Sequence, residues 1–301
     1  MASGESRGKG NDRVSTGLPA LDRMLGGGLL PGTLTVVLGA TGIGKTQLGI
    51  HFCDAGRSQE GERGVLFDLT ARGDSQNHRE YARRLCDWDL QPASTARPLP
   101  EDVFDRAKAR RDVLHIFAET GRRVTREQLD DAAWKEWKAE LNRRLDCAIA
   151  FFYGNFAHGV RRCVIDGIEP VDHPADSIQF ELFDYVYRQI LRKPADWVAR
   201  DWFRAGFRER AGRVAEHAYP VEQITALMLY TCPEVWMDDL LRRPLQTGDH
   251  LANANTIVLM GKLREGSRVR RVLHVAKHRG SACDDRIVPF TITDRGLQLE
   301  E

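Results

Sequence analysis

The sequence predicts an α/β fold: a mostly parallel central sheet flanked by helices, with a C-terminal antiparallel hairpin and helical insertions. Three observations predict it. First, residues 34–38 (LTVVL) form a short β-branched run that enters a glycine-rich turn, and apolar residues at helical spacing follow at Leu48, Ile50, Phe52 and Ala55. Second, residues 64–69 (GVLFDL), a helical stretch over 76–87 and the strand-like RRCVI at 161–165 continue a βαβ rhythm. Right-handed crossovers turn that rhythm into a parallel sheet. Third, residues 256–263 and 269–277 are strand-like runs joined by Arg264-Glu265-Gly266-Ser267, which is a hairpin signal.

The other elements follow in order. Residues 91–102 hold Pro92, Pro98 and Pro100 and read as a loop, and 113–117 (VLHIF) read as a strand. Thr125, with Gln128 three residues later, reads as the N-cap of a long helix. Leu129, Ala132, Ala133, Trp137, Leu141 and Leu145 fall on one face of it. Residues 178–191 and 194–218 are amphipathic at helical period, with Pro194 at a helix start, where its missing N–H costs nothing. Residues 224–231 (ITALMLYT) read as a buried strand, and 288–292 and 296–299 as two short closing strands.

A chain of 301 residues is long for one compact domain and short for two. We expect a disordered lead-in over 1–13 and one domain over 14–301, with helical insertions at about 92–160 and 171–220. The net charge of +1 supplies no global basic field to recruit nucleic acid. No two of the six cysteines stand at CxxC spacing, so neither a zinc site nor a redox pair is expected. Free structural thiols suit a cytoplasmic location. No apolar run approaches the ~20 residues of a membrane span, and the first residues lack the apolar core of a signal peptide.

Gly39-Ala40-Thr41-Gly42-Ile43-Gly44-Lys45-Thr46 matches GxxxxGK[ST]. Its glycines let the backbone curl so that successive N–H groups point at phosphate. The helix that opens near Lys45 aims its positive dipole end at the same place. Lys45 reaches the β- and γ-phosphates in such loops, and the hydroxyl of Thr46 ligates Mg²⁺. The loop lies between a strand and a helix, as the motif requires. Asp166, at the end of Cys163-Val164-Ile165, is the matching strand-end carboxylate, placed to hold a Mg²⁺-bound water.

Further blocks carry a family resemblance. Val14-Ser15-Thr16-Gly17-Leu18-Pro19-Ala20-Leu21-Asp22 leads into Met24-Leu25-Gly26-Gly27-Gly28-Leu29 and Pro31-Gly32 ahead of the loop. Later come Lys277-His278-Arg279-Gly280-Ser281 and Pro289-Phe290-Thr291-Ile292-Thr293-Asp294-Arg295-Gly296-Leu297. In content and order these resemble KaiC-like members of the RecA-superfamily P-loop ATPases. The resemblance implies a RecA-like fold, ATP with Mg²⁺, and assembly as a homo-oligomer, a hexameric ring or filament with nucleotide between subunits. It also implies that Lys277 and Arg279 act as fingers on the neighbour's γ-phosphate. One departure stands out. The family carries adjacent glutamates after its second strand, one of which polarises the attacking water. Thr70 and Ala71 stand there in this chain, and neither serves as a general base. Gly167 also follows Asp166 where the family often has Ser or Asp. The expectation is therefore an ATP-binding oligomeric switch, or an ATPase with slow or absent hydrolysis. Asp68 and Asp74 are the nearest replacement carboxylates.

The segments outside these blocks are less informative. Arg106, Lys108, Arg110 and Arg111, and then Arg122, Arg123 and Arg126, form two basic clusters, diluted by Asp102, Asp105, Asp112 and Glu127. They read as solvated helix faces rather than a nucleic-acid site. Trp134, Trp137, Phe180, Phe183, Tyr185, Tyr187, Trp197, Trp202, Phe203 and Phe207 read as helical core or as a face that docks a protein partner. His173, just beyond the Asp166 strand, reads as an ordinary loop residue. Two rival functions remain: a DNA-stimulated RecA-type ATPase of recombination or repair, and a catalytically inactive ATP-bound scaffold.

Overall fold

The computed structural model describes residues 13–70, 77–96, 98–117, 126–169, 178–243, 250–280 and 282–300. After a short helix α1 (Pro19–Met24), strand β1 (Leu34–Gly39) is buried along its whole length. That is why it reads as an unbroken apolar run, since a parallel strand covered on both faces has no solvent side. The chain then runs through α2 (Lys45–Gln59), β2 (Val65–Asp68), α3 (His78–Cys86), α4 (Arg106–Ala109), β3 (Val113–His115), α5 (Asp131–Ala157) and β4 (Arg162–Ile168). It continues with α6 (Ile178–Tyr185), α7 (Ala195–Phe203), α8 (Phe207–Glu216), β5 (Thr225–Thr231), α9 (Met237–Arg242) and α10 (His250–Asn253). Strands β6 (Thr256–Glu265), β7 (Arg268–His278), β8 (Val288–Thr293) and β9 (Gly296–Leu299) close it.

The nine strands form one sheet in the order β3-β2-β4-β5-β1-β6-β7-β8-β9. From β3 to β6 neighbours are parallel, and from β6 to β9 antiparallel. This is the mostly parallel sheet with a C-terminal hairpin that the sequence predicts, a RecA-like P-loop fold. Two apolar layers sandwich it. One, under α2 and α3, includes Val37, Leu48, Phe52, Val164 and Leu229; the other, under α5 to α8, includes Val36, Phe67, Phe152, Ile165 and Phe183. Residues 92–160 therefore contribute the edge strand β3 and the long sheet-covering helix α5.

The segment ahead of β1 is locked by one carboxylate. Asp22 Oδ1 accepts the Thr16 N–H and hydroxyl, each at 2.7 Å, and its Oδ2 accepts the Ser15 hydroxyl at 2.5 Å. Gly17 lies between at φ 81°, where an added Cβ would sit 2.3 Å from the His51 carbonyl. The glycine is what lets this segment lie on α2.

Two expected helices differ. The long helix opens at Asp131, not near Thr125, which lies outside the described residues. Asp130 is its N-cap and accepts the Ala133 N–H at 2.8 Å. The helix expected over 194–218 is two helices, separated at Arg204, whose φ of 49° no α-helix tolerates.

Half of the named aromatics of 178–207 are core: Phe180, Phe183, Trp202 and Phe203 are buried, Tyr185, Tyr187 and Phe207 are half-buried, and Trp197 is 52% exposed. The first basic cluster is spent on local pairs. Arg106 and Arg110 meet Glu62, Arg110 also meets Asp112, and Lys108 meets Asp102. Arg122 and Arg123 of the second cluster lie outside the described residues. Among the described residues no helix is long and apolar enough to cross a membrane.

Candidate functional site

β1 ends at Gly39 and α2 begins at Lys45, so the loop Ala40–Gly44 turns at the carboxyl end of the sheet, with the N-terminus of α2 aimed into it. Gly39 is fixed by packing, because an added Cβ would lie 2.3 Å from the Met260 carbonyl of β6. Thr41 and Gly42 are exposed, and Ile43 is buried and anchors the loop. Lys45 is buried and donates to the Gly39 and Ala40 carbonyls at 2.8 and 3.0 Å. Burial lowers its pKa, against the opposing pull of Asp166.

β4 pairs with β2 in register, Asp166 opposite Asp68. Both side chains are buried at the carboxyl end of the sheet, beside the loop. The Thr46 hydroxyl donates to Asp166 Oδ2 at 2.9 Å, so the two residues expected to share a metal do meet. A hydroxyl beside a carboxylate is the oxygen donor set that suits Mg²⁺, which takes few protein ligands and completes its shell with water and phosphate oxygens. Among the described residues no group of three or more His, Cys, Asp or Glu is arranged to hold a metal by itself. The fit is thus to a cation arriving with a nucleotide.

Sequence reasoning missed two histidines. His78, the first residue of α3, lies between the strand ends: Nε2 is 3.0 Å from Asp166 Oδ2 and Nδ1 3.5 Å from Asp68 Oδ2. His115, the last residue of β3, sits 3.8 Å from Asp68 Oδ2 and donates through Nε2 to the Thr70 carbonyl at 2.8 Å. Burial pushes the His78 pKa down, but the Asp166 hydrogen bond and the charges of Asp68 and Asp166 outweigh it, and the pKa is raised. Burial likewise pushes Asp166 up, yet its bonds to His78 and Thr46 and the charge of Lys45 hold it below the usual carboxylate range. For Asp68 burial wins, and its pKa is raised despite His78 and His115. No motif flags these histidines. The available signal was positional: each stands where an element meets the carboxyl end of the sheet, as Thr46 and Asp166 do.

Thr70, where the resemblance expects a glutamate, is buried, and its N–H donates to Asp68 Oδ1 at 2.8 Å. Gly167 explains itself against it. A Cβ there would lie 2.4 Å from the Thr70 nitrogen, at a φ of 91°. Ala71, Asp74 and His173 lie outside the described residues.

Lys277 and Arg279 are not near this loop. In the register of the sheet Lys277 pairs with Ile257, at the start of β6, while Gly39 pairs with Met260 three residues on. Both basic side chains donate to the Ala252 carbonyl at the end of α10, at 3.0 and 3.4 Å. Within one chain they sit toward the end of the strands remote from the phosphate loop.

Fold, loop and strand-end carboxylate together define a RecA-like P-loop nucleotide-binding domain. A family model described as ATPase: KaiC matches residues 14–193. Over 292 residues the chain is 47% identical to the circadian clock oscillator protein KaiC of Thermostichus vulcanus, and equally to that of Thermosynechococcus vestitus; 97% of this chain and 43% of each relative are covered. The KaiC of Prochlorococcus marinus is 50% identical over 81 residues, 27% of this chain and 15% of that protein. The chain belongs to the KaiC family and is an ATP-binding protein of the RecA superfamily. It spans less than half the length of the relatives that it matches over almost its whole extent.

Proposed function

We propose that this protein is a nucleotide-dependent oligomeric switch that binds ATP with Mg²⁺ and hydrolyses it slowly or not at all. In this reading Gly39 to Thr46 wrap the phosphates, and Lys45 leaves the loop carbonyls for the β- and γ-phosphates. Thr46 and Asp166 would hold the Mg²⁺, directly and through water, and the metal would neutralise phosphate charge. Lys277 and Arg279, remote from their own chain's loop, would read the nucleotide of an adjacent copy in a ring or filament.

One observation carries the slow-hydrolysis part. Where the family places its water-polarising glutamates, this chain has a buried, neutral Thr70. The nearest described carboxylate, Asp68, already faces the Thr70 N–H and two histidines. A general base must have a lone pair directed at its water. The pairing of Arg106, Lys108 and Arg110 with acids argues against a DNA-driven motor. Burial of Phe180, Phe183, Trp202 and Phe203 argues against a broad partner-docking face. The test is native mass with and without MgATP, for the wild type and Lys277→Ala. The switch reading expects ATP to shift the wild type to a larger species and the variant to fail to follow. Equal masses in all four samples would sink it.

A further inference from the structure

Asp166 has two oxygens, and both are engaged. Oδ1 accepts the Gly167 N–H at 2.8 Å. Oδ2 accepts the Thr46 hydroxyl at 2.9 Å and faces His78 Nε2 at 3.0 Å. Thr46 is the residue that would ligate the metal, so Oδ2, the oxygen turned toward Thr46, is the one that a metal-bound water would use. A carboxylate oxygen has about two lone-pair sites. With the threonine and the imidazole both in place, Oδ2 has no site for a third donor. Thr46 can turn its hydroxyl to the metal and stay close by. His78 offers no oxygen ligand and has to leave.

His78 is also seated at the end of an element. It is the first residue of α3, capped by Asn77, so its own N–H is one of those that make no bond within the helix. What holds the ring is the pair of carboxylates at the ends of β2 and β4. A histidine kept only for packing would have no reason to take the oxygen that the metal shell needs.

We propose that His78 is a latch on the metal subsite: it stands in for the Mg²⁺-bound water as the donor to Asp166, and the metal–nucleotide complex loads only when its ring is displaced. This rests on the P-loop reading given above, and it makes His78 a positioning residue whose effect is read in metal-dependent binding. Removing it should tighten affinity for MgATP.

The experiment measures the dissociation constant of a fluorescent ATP analogue in excess Mg²⁺ and in EDTA. It compares the wild type, His78→Leu and His78→Gln. Circular dichroism checks that each variant is folded; should the leucine variant unfold, the glutamine variant, which keeps a neutral donor and similar length, carries the test. The latch predicts that the dissociation constant in excess Mg²⁺ falls at least about fivefold in the leucine variant and less in the glutamine variant, so that the EDTA-to-Mg²⁺ ratio rises through the Mg²⁺ value and not through weaker binding in EDTA. A ratio that stays the same or falls would overturn it, the fall meaning that His78 supports the metal shell instead. If the wild type binds no nucleotide in either buffer, the P-loop reading itself is lost and the latch with it; binding in EDTA with an unmoved ratio removes the latch alone.

Discussion

At the scale of single residues, the site depends on which side chains can approach each other. Gly167 and Thr70 are one example. The glycine gives up a side chain so that the Thr70 backbone can come close, and a glutamate's chemistry is absent beside it. His51 is another. It lies on α2 beneath the turn between β8 and β9, where an added Cβ on Gly296 would be 2.2 Å from Nε2, and that nitrogen is buried without a partner. Burial lowers its pKa, with Asp54 opposing. The unfolded chain therefore takes up the proton first as pH falls, so stability present above about pH 6.5 is lost as pH drops toward the lower folded pKa. We predict that urea melts between pH 7.5 and 5.5 show a smaller acid loss in His51→Leu than in the wild type. Identical pH slopes would contradict that assignment. At this scale the sequence was legible where a motif fixes the spacing, as at Lys45 and Thr46. His78 and His115 were not, because their roles arise only when three elements, distant in sequence, converge at one end of the sheet.

At the scale of elements, a buried arginine binds the nucleotide helix to the Asp166 strand. Arg162 opens β4 and is fully buried. It donates to both Glu60 oxygens at 2.7 and 2.9 Å, to the Ser15 carbonyl at 2.6 Å and to the Phe52 carbonyl at 2.8 Å, and its guanidinium lies 5.0 Å from the Phe52 ring. It thus joins α2, β4 and the segment ahead of α1. Removing one partner of a buried pair leaves the other poorly compensated, at about 3–5 kcal/mol. Arg162→Met is expected to lose about that much in chemical denaturation, and Arg162→Lys to recover only part, since an ammonium lacks the planar fork. A loss below about 1 kcal/mol for the methionine variant would show the cluster to be incidental. Strand existence was legible from apolar runs throughout. Helix boundaries were less so: Asp130 displaced Thr125 as cap because it is the better one and stands next to the apolar face. The break falls on Arg204, an exposed residue in the left-handed region whose guanidinium meets Asp146 at 3.0 Å; Gly206 two residues on marks the break only weakly, and nothing local predicts an arginine at positive φ.

At the scale of the whole molecule, the sheet separates two functions along its strands. The phosphate loop, Thr46 and Asp166 lie at the carboxyl end of the parallel strands, while Lys277 and Arg279, at the end of β7, lie toward the other end and donate to the Ala252 carbonyl of α10. In the proposed reading these would be the two halves of a site shared between copies, an arrangement that suits head-to-tail assembly. The mostly parallel sheet and the hairpin were foreseeable from the strand–helix rhythm; the strand order, and the separation of Lys277 and Arg279 from the loop, required the register. Binding of nucleotide without efficient turnover is decided by steady-state phosphate release from MgATP, with Lys45→Ala as the blank and binding measured in parallel. We expect measurable binding that Lys45→Ala abolishes, with phosphate release far below the roughly 1–1,000 s⁻¹ of typical enzymes. Turnover within that range would contradict it, and would mean that a carboxylate such as Asp68 does the work of the missing glutamates.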